Sequence, residues 1–450
     1  MRVLPILIAA LLCSPARADL FTAQLAYQKG DYARAFKDYR ELAELGQATA
    51  QHNLAVMYAK GQGVPQSEIN AFAWASLAAE GGEASARSLV EGLRPLLAPG
   101  SEKIAADIAA PFSRAALNAR LMPKIEDVGQ DRERCRIVQT GKLTYPPDAQ
   151  RRRIQGEVTV EMTVLADGST RNPRIVSAVP ADIFETTVRS MALQLRWRPG
   201  APAATAIPCQ TMYRFQMPFA KSAYPSLESY VEATRKKAEA GDTQSELMYG
   251  LLLAGLPQLG RRKSEAVPWF LKAAQAGSRT GQYMIGTSLL FGVGCQCEEN
   301  KGEVWLRKAA EADQPNAQVA LASYALRGSP DERNTKLADV WLERAAAQGD
   351  HDGRYYLAAL LAATPVAELR DPKRALALLD KVRGDEHDNP TAVEVRAAAL
   401  AASGAVTDAV KQERHAIAMA AALHWDLAPL NERLTHYESG QPWYGDLLGL

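Results

Sequence analysis

Two hydrophobic rhythms divide this chain. Over most of its length apolar residues return every three to four positions, which lines one face of a helix, whereas between Arg136 and Phe219 they return every second position, which covers one face of a strand. The helical part also repeats itself. Trp269, Trp305 and Trp341 stand 36 residues apart, and each is followed by a basic residue and two alanines: Lys272-Ala273-Ala274, Lys308-Ala309-Ala310 and Arg344-Ala345-Ala346. The helix ends Ala240-Gly241, Ala276-Gly277, Ala312-Asp313 and Gln348-Gly349 keep the same step, so several registers agree on a stacked array. Within one unit, residues 280–290 are predicted as a helix, Gly292-Val293-Gly294 breaks it, and residues 302–312 form the second helix. The N-terminal stretch uses the same pattern, with Gly46 and Gly82 again 36 apart. Small residues at fixed positions let neighbouring helices approach closely, and Gly at a helix end supplies a left-handed cap. Residues 84–94 and 101–120 are expected to close the first array, and residues 390–403, 406–423 and 429–437 to cap the second.

The segment Tyr58-Ala59-Lys60-Gly61-Gln62-Gly63-Val64 matches in full the Tyr-x-x-Gly-x-Gly-Val turn of the SEL-one-like repeat family, a relative of tetratricopeptide repeats. Leu290-Phe291-Gly292-Val293-Gly294 matches it in part, with Leu in place of Tyr and Cys295 in place of Val. The resemblance covers about residues 20–90 and 235–380. It implies a superhelical, non-catalytic scaffold that binds other proteins. The recurrence of Trp269, Trp305 and Trp341 at one register places them in the core rather than in a ligand groove.

In the segment of period two, Gly156 to Val164 alternates without error. Val158, Val160, Met162 and Val164 are expected to face a core, and Glu157, Thr159, Glu161 and Thr163 to face water. Asp167-Gly168 reads as a hairpin turn, 174–179 as the return strand, 180–195 as a helix and 210–217 as a last strand, to which Met212, Phe215 and Met217 bring apolar side chains. The order is β-β-α-β. Tyr145-Pro146, Ala149, Gly156, Val158, Val160, Val164, Asp167-Gly168, Asn172, Ser177-Ala178, Pro180, Phe184, Met191, Trp197, Pro199 and Phe215 together resemble the C-terminal domain of TonB-type energy transducers. In that family a small antiparallel sheet adds an extended segment of an outer-membrane transporter to the edge of its last strand. The resemblance implies a pairing edge along Gln210, Thr211, Met212, Tyr213, Arg214, Phe215, Gln216 and Met217. It also implies that the segment before Tyr145 lies near the entry to the last strand, which makes Cys135 and Cys209 a candidate disulfide stapling the two ends of the domain, with two buried thiols as the alternative. Three departures set the chain apart from the transducers: the N-terminal apolar segment is short and looks cleavable, the long Pro-rich linker is replaced by helical repeats, and Gly141-Lys142-Leu143-Thr144 lacks the family's Gln-Pro element.

The fold class is therefore mostly α: two α-solenoid arrays of about 36-residue helix-turn-helix repeats flank a small α+β domain with an antiparallel sheet. The expected boundaries are 1–18 for a signal peptide, 19–121 for the first repeats, 122–135 for a linker, 136–220 for the TonB-like domain, 224–384 for the second array and 385–450 for a C-terminal helical cap.

Composition adds compartment and exclusions. Met1-Arg2, the eleven apolar residues Val3 to Cys13 and the small residues Ala16 and Ala18 ahead of Asp19 read as a cleaved export signal, too short to span a bilayer as a helix. Leu12 ahead of Cys13 argues against lipid attachment. A bacterial periplasm is the expected location, with an inner-membrane anchor facing the periplasm as the alternative. Cys295 and Cys297 form either a local disulfide or two thiols; one intervening residue is too few for a zinc knuckle. With 52 Lys and Arg against 51 Asp and Glu, there is no basic excess for nucleic acid. No nucleophile elbow, Ser-x-x-Lys, zinc-protease helix or phosphate loop is present. His52, His351, His387, His415, His424 and His436 show no ligand spacing, and Asp385-Glu386-His387-Asp388 reads as a solvated loop rather than a metal site. No cofactor is expected, nor an enzyme. The expected partners are proteins or peptides of the cell envelope, an outer-membrane transporter or a second copy of the chain among them. The competing readings are an energy-transducer component and a cell-wall hydrolase. Intact mass of the protein from fractionated cells is expected to show a soluble species starting at Asp19, about two protons lighter per bridge; a full-length species in the inner membrane would reverse the localisation.

Overall fold

The computed structural model describes residues 20–126, 136–165, 167–198, 207–215, 227–255, 262–326, 331–382 and 389–448. Two compact units divide at Met122 and Pro123. The first unit is helical: α1 (Leu20–Gln28), α2 (Tyr32–Glu44), α3 (Ala48–Lys60), α4 (Glu68–Glu80), α5 (Ala84–Leu93), α6 (Ser101–Ala109) and α7 (Arg114–Arg120). Tyr39, Leu42, Leu54, Met57 and Trp74 form its core, interleaved with fully buried alanines. The turn after α3 shows why its glycines are needed. Gly63 has φ +72°, and a Cβ there would fall on the carbonyl of Tyr32. Pro111 divides residues 101–120 by a short 3-10 turn between α6 and α7.

In the second unit the repeats are α10 (Leu227–Glu239), α11 (Thr243–Gly255), α12 (Val267–Gln275), α13 (Arg279–Phe291), α14 (Glu299–Glu311), α15 (Pro315–Ala325), α16 (Glu332–Ala347), α17 (His351–Ala363) and α18 (Pro372–Leu379). The 36-residue step is a step of junctions. Gly241, Gly277, Asp313 and Gly349 all have positive φ, and the following residues Asp242, Ser278 and Asp350 cap the next helix by accepting a backbone N–H three residues on. Asp313 holds φ +56° without being glycine, and Gln314 makes no side-chain cap, so this junction departs most from the pattern. Arg344 compensates by reaching Asp313 at 2.8 Å.

The Trp register has a second function in the helix surface. The basic residue three positions on lies over each ring, Lys272 on Trp269, Lys308 on Trp305 and Arg344 on Trp341, at 4.3, 5.0 and 5.0 Å. Trp305 and Trp341 are buried, whereas Trp269 is half-buried and meets Tyr249 edge-on. Close approach is literal at Gly286 and Gly302. A Cβ on Gly286 would stand 2.8 Å from Leu306, and one on Gly302 would stand 2.7 Å from the backbone of Leu290. The chain ends in α19 (Pro390–Ala402), α20 (Val406–Ala422) and α21 (Ala428–Glu438).

The inserted sheet has the strand order β3-β2-β5, antiparallel throughout, from β2 (Gly156–Val164), β3 (Thr170–Val179) and β5 (Ile207–Phe215). A separate short pair joins β1 (Ile137–Gln139) to β4 (Arg196–Trp197), and α8 (Pro147–Arg151) and α9 (Glu185–Leu193) complete the domain. The order is thus β-α-β-β-α-β-β, with β1, α8 and β4 added to the sequence reading. The return strand starts earlier than expected, at Thr170, and the helix later, at Glu185. The carboxylate of Glu185 accepts the N–H groups of Asp182, Ile183 and Phe184, holding these residues in a turn rather than a helix. Val158, Val160, Met162 and Val164 face a core of Val188, Met191, Ala192, Trp197 and the stacked pair Phe184 and Phe215.

Gly286→Val is expected to lower the stability of the second unit by about 1–3 kcal/mol through forced separation of α13 and α14. A urea titration followed by tryptophan fluorescence checks this, and an unchanged midpoint would show that the close approach is not required.

Candidate functional site

The alternation on β2 continues to its polar residues, but they do not face water. Glu157, Thr159 and Glu161 are 8, 1 and 2% exposed, because the repeats cover the second face of the sheet. Burying these carboxylates is tolerable only because each is paired and hydrogen-bonded. Glu161 forms an ion pair with Arg174 of β3, and the Tyr283 hydroxyl of α13 donates to the same oxygen at 2.7 Å. Gln210 of β5 donates to the other oxygen at 2.8 Å. Glu157 receives the Tyr230 hydroxyl of α10 at 2.8 Å and lies 3.7 Å from Arg214. Burial raises the pKa of Glu157, and the Tyr230 hydrogen bond and Arg214 oppose that rise.

First helices of successive repeats all reach the sheet domain. From α15, the Asn316 amide donates to the Ile175 carbonyl of β3 at 3.0 Å. Asp352 of α17, 36 positions further on, lies 3.4 Å from Arg189 of α9, and His351 lies 3.2 Å from the same guanidinium. Burial and the neighbouring Asp352 push Asp350 up to about 6. Asp352 itself is held below the usual carboxylate range: burial opposes this, and Arg189 and His351 outweigh it.

At the C-terminal cap, Arg171 of β3 stacks over Trp425, the Asn172 amide donates to the Leu448 carbonyl at 2.9 Å, and Arg196 reaches the Leu423 carbonyl. Leu193 of α9 packs with Val393, Ala416, Ala420 and Leu430. Behind Trp425 two buried carboxyls share one guanidinium: Arg433 pairs with Glu394 and lies 3.6 Å from Glu413. Burial and the nearby Glu394 push Glu413 up to about 8.

Among the described residues β5 is an edge strand, with β2 as its ladder partner from Ile207 to Phe215. Gln210 to Phe215 therefore lie on the edge named from the sequence, while Gln216 and Met217 lie outside the described residues. The register separates Met212 from Phe215: Met212 stands opposite Thr159 on the array side, and Phe215 lies in the sheet core. Cys209 is buried opposite Met162. Cys135, Ala16, Ala18, Asp19 and the Asp385 to Asp388 cluster lie outside the described residues. Cys295 and Cys297 are thiols, donating to the Ser288 and Leu290 carbonyls. Cys295 also bridges Ile125 in antiparallel fashion, with the Gln296 N–H donating to the Lys124 carbonyl at 2.8 Å. Among the described residues no group of His, Cys, Asp and Glu has the arrangement of a metal site, and no helix is long and apolar enough to cross a membrane.

The Sel1 repeat model matches residues 48–83, 244–278, 280–314 and 315–350, the helix pairs just described, and the model for the Gram-negative bacterial TonB protein C-terminal matches residues 141–217. The chain carries Sel1 repeats and a TonB C-terminal domain. Protein TonB of Klebsiella aerogenes is 39% identical over 67 residues, and Protein TonB of Escherichia coli is 38% identical over 69. Each match covers 15% of this chain and only 28 and 29% of those relatives, so the likeness is confined to the domain. Among solved structures, a Sel1 repeat protein from Oxalobacter formigenes aligns at 16% identity and TM-score 0.32, over 82% of this chain and 100% of that one. A protective antigen of uropathogenic Escherichia coli with an SLR fold aligns at 18% identity and TM-score 0.36, over 95% of this chain and 76% of that one. The TonB C-terminal domain of this chain is thus docked by its polar sheet face on its own Sel1 repeats.

Glu161→Ala leaves Arg174 buried without its carboxylate and is expected to cost about 3–5 kcal/mol; a double variant that also replaces Arg174 with Met should recover part of the loss. Chemical denaturation of the two variants checks it, and equal losses would deny the coupling. Glu413 gives a pH signature. Its folded pKa lies above the ordinary 4.5, so the native state holds a proton that the unfolded chain releases. Its stabilising contribution is complete below about 4.5 and is lost as pH rises through about 8. Glu413→Gln is expected to be more stable than the parent at pH 8.5 and to converge with it toward pH 4.5; a pH-independent difference would refute the assignment.

Proposed function

We propose that this protein is an exported, non-enzymatic scaffold of the bacterial periplasm, in which Sel1 repeats and a TonB C-terminal domain bind protein or peptide partners of the cell envelope. The Sel1 repeats support protein interaction as the general role. The observation that carries the finer reading is the position of β5: the repeats take up the polar face of the sheet and the Asn316 amide takes a carbonyl of β3, while among the described residues β5 is an edge with β2 as its ladder partner. An edge of this kind accepts an extended peptide by main-chain hydrogen bonding. Cleavage between Ala18 and Asp19 and a Cys135–Cys209 bridge belong to the same proposal. The bridge would close a loop of about 75 residues, worth on the order of 4 kcal/mol in the chain-entropy treatment.

A second reading, a component of TonB-type energy transduction acting on an outer-membrane transporter, is favoured by the domain match itself. It requires an anchored N-terminus. Hydrogen exchange of the intact protein with a synthetic peptide from the periplasmic end of such a transporter tests the edge. Slowed exchange confined to β5 is the expected result. Unchanged exchange of residues 207–215 at millimolar peptide would reject β5 as the binding strand.

A further inference from the structure

The contacts between sheet and repeats share one chemical theme. Arg174 and Arg189 project from the sheet domain onto groups of the array, Tyr283 and His351 with Asp352, and Arg171 and Arg196 onto groups of the C-terminal cap, Trp425 and the Leu423 carbonyl. An aromatic face, a carboxylate and a main-chain carbonyl suit a planar guanidinium better than an ammonium, and the Tyr283 hydroxyl adds a fourth contact. The charge follows the same division. Residues 136–220 carry eleven Lys and Arg against six Asp and Glu, whereas residues 221–450 carry 26 against 30.

The backbone is shaped for this display. Arg171 and Arg174 are three residues apart, which in a regular strand puts them on opposite faces. The register shows otherwise: Arg174 stands opposite Glu161 and Arg171 opposite Thr163, both on the face toward the array. A bulge at Asn172 and Pro173 accounts for the extra residue, with Asn172 held at φ +48°. Asn172 has one amide oxygen buried without a partner, and its amide nitrogen is tied to Leu448. The bulge thus turns Arg171 to the same face of the sheet as Arg174. On the array, Asn316 and Asp352 occupy the same repeat position, 36 residues apart, so the receiving surface is written in the repeat pattern too.

We infer that the face shared by the Sel1 array and its C-terminal cap is an arginine-reading docking surface, occupied in cis by the TonB C-terminal domain, and that an arginine-bearing protein segment is the partner it takes when that domain is released. The inference is independent of what binds β5. Covalent linkage gives the cis ligand an effective concentration in the millimolar range, which masks the surface from weaker competitors. The interface is rich in charged and polar contacts, as in exchangeable contacts between domains.

The test uses the full chain. In Arg171→Ala/Arg189→Ala, exchange should quicken in residues 170–179 and 351–356, while the β2–β5 ladder stays protected, showing release of a folded domain. This variant should bind a fluorescent hexa-arginine peptide at least tenfold more tightly than the parent and should bind hexa-lysine no better than the parent does. Asp352→Asn/Trp425→Ala releases the domain from the other side and should not gain peptide binding. Arg171→Lys/Arg189→Lys guards against simple misfolding: it retains the charge and should show partial release and an intermediate gain. Equal peptide binding by parent and released variant, equal gains for arginine and lysine peptides, or a gain in the Asp352→Asn/Trp425→Ala protein would each overturn the inference. So would loss of the β2–β5 ladder in every arginine variant.

Discussion

The Glu161–Arg174–Tyr283 contact is the constraint on which the second unit depends. A carboxylate 2% exposed in the middle of a sheet costs several kcal/mol to desolvate unless its partners are fixed in place. The guanidinium comes from β3, the hydroxyl from α13 and a further amide from β5, so three elements must be assembled before the charge is compensated. Such a contact adds little net stability over an apolar substitute. It does specify one arrangement, because a sheet shifted by one residue on the array would turn Glu161 away from Tyr283.

The same logic explains why the Sel1 array is so rich in alanine and glycine on one side and so varied on the other. Gly286 and Gly302 allow backbones to meet, which fixes the spacing of successive helices. Once that spacing is fixed, residues 36 apart fall on a line, and Asn316 and Asp352 can each address a different part of the same sheet domain. Repeat regularity converts a linear period into a receptor surface whose specificity is carried by a few substituted positions.

Much of this was legible in the sequence, and the reason for the rest is physical. The 36-residue step located the repeats, and the alternation of Val158, Val160, Met162 and Val164 located the sheet core, because apolar burial leaves a periodic trace. Glu157, Thr159 and Glu161 were assigned to solvent by the same rule, and the structure buries them. Periodicity reports which residues share a face, not what covers that face. The signal that bears on the cover was the clustering of Arg171, Arg174, Arg189 and Arg196 in a short segment of a nearly neutral chain, together with Asn172-Pro173, a pair that breaks strand regularity. The late start of α9 was hidden for a different reason: Glu185 satisfies three N–H groups locally, and no hydrophobic pattern records that.

The C-terminal cap shows what docking accomplishes electrostatically. Taken alone, α19, α20 and α21 bring Glu394, Glu413 and Arg433 together, two carboxyls to one guanidinium, in a region that excludes water. One solution is for a carboxyl to keep its proton, which is the direction in which burial and Glu394 move Glu413. A second, which the docked structure uses as well, is to import a cation. Arg171 does so from the sheet domain: burial draws its pKa down to about 10, Glu394 opposes that fall, and the group stays charged at neutral pH over the face of Trp425. With the TonB C-terminal domain docked, Glu413 keeps its proton and Glu394 faces two guanidiniums, Arg433 and Arg171, both of which oppose the rise that burial imposes on it. A partner that displaces the domain takes the Arg171 charge away from Glu394 unless it brings a cation of the same shape, which is why the chemistry of Arg171 bears on the chemistry of any competitor.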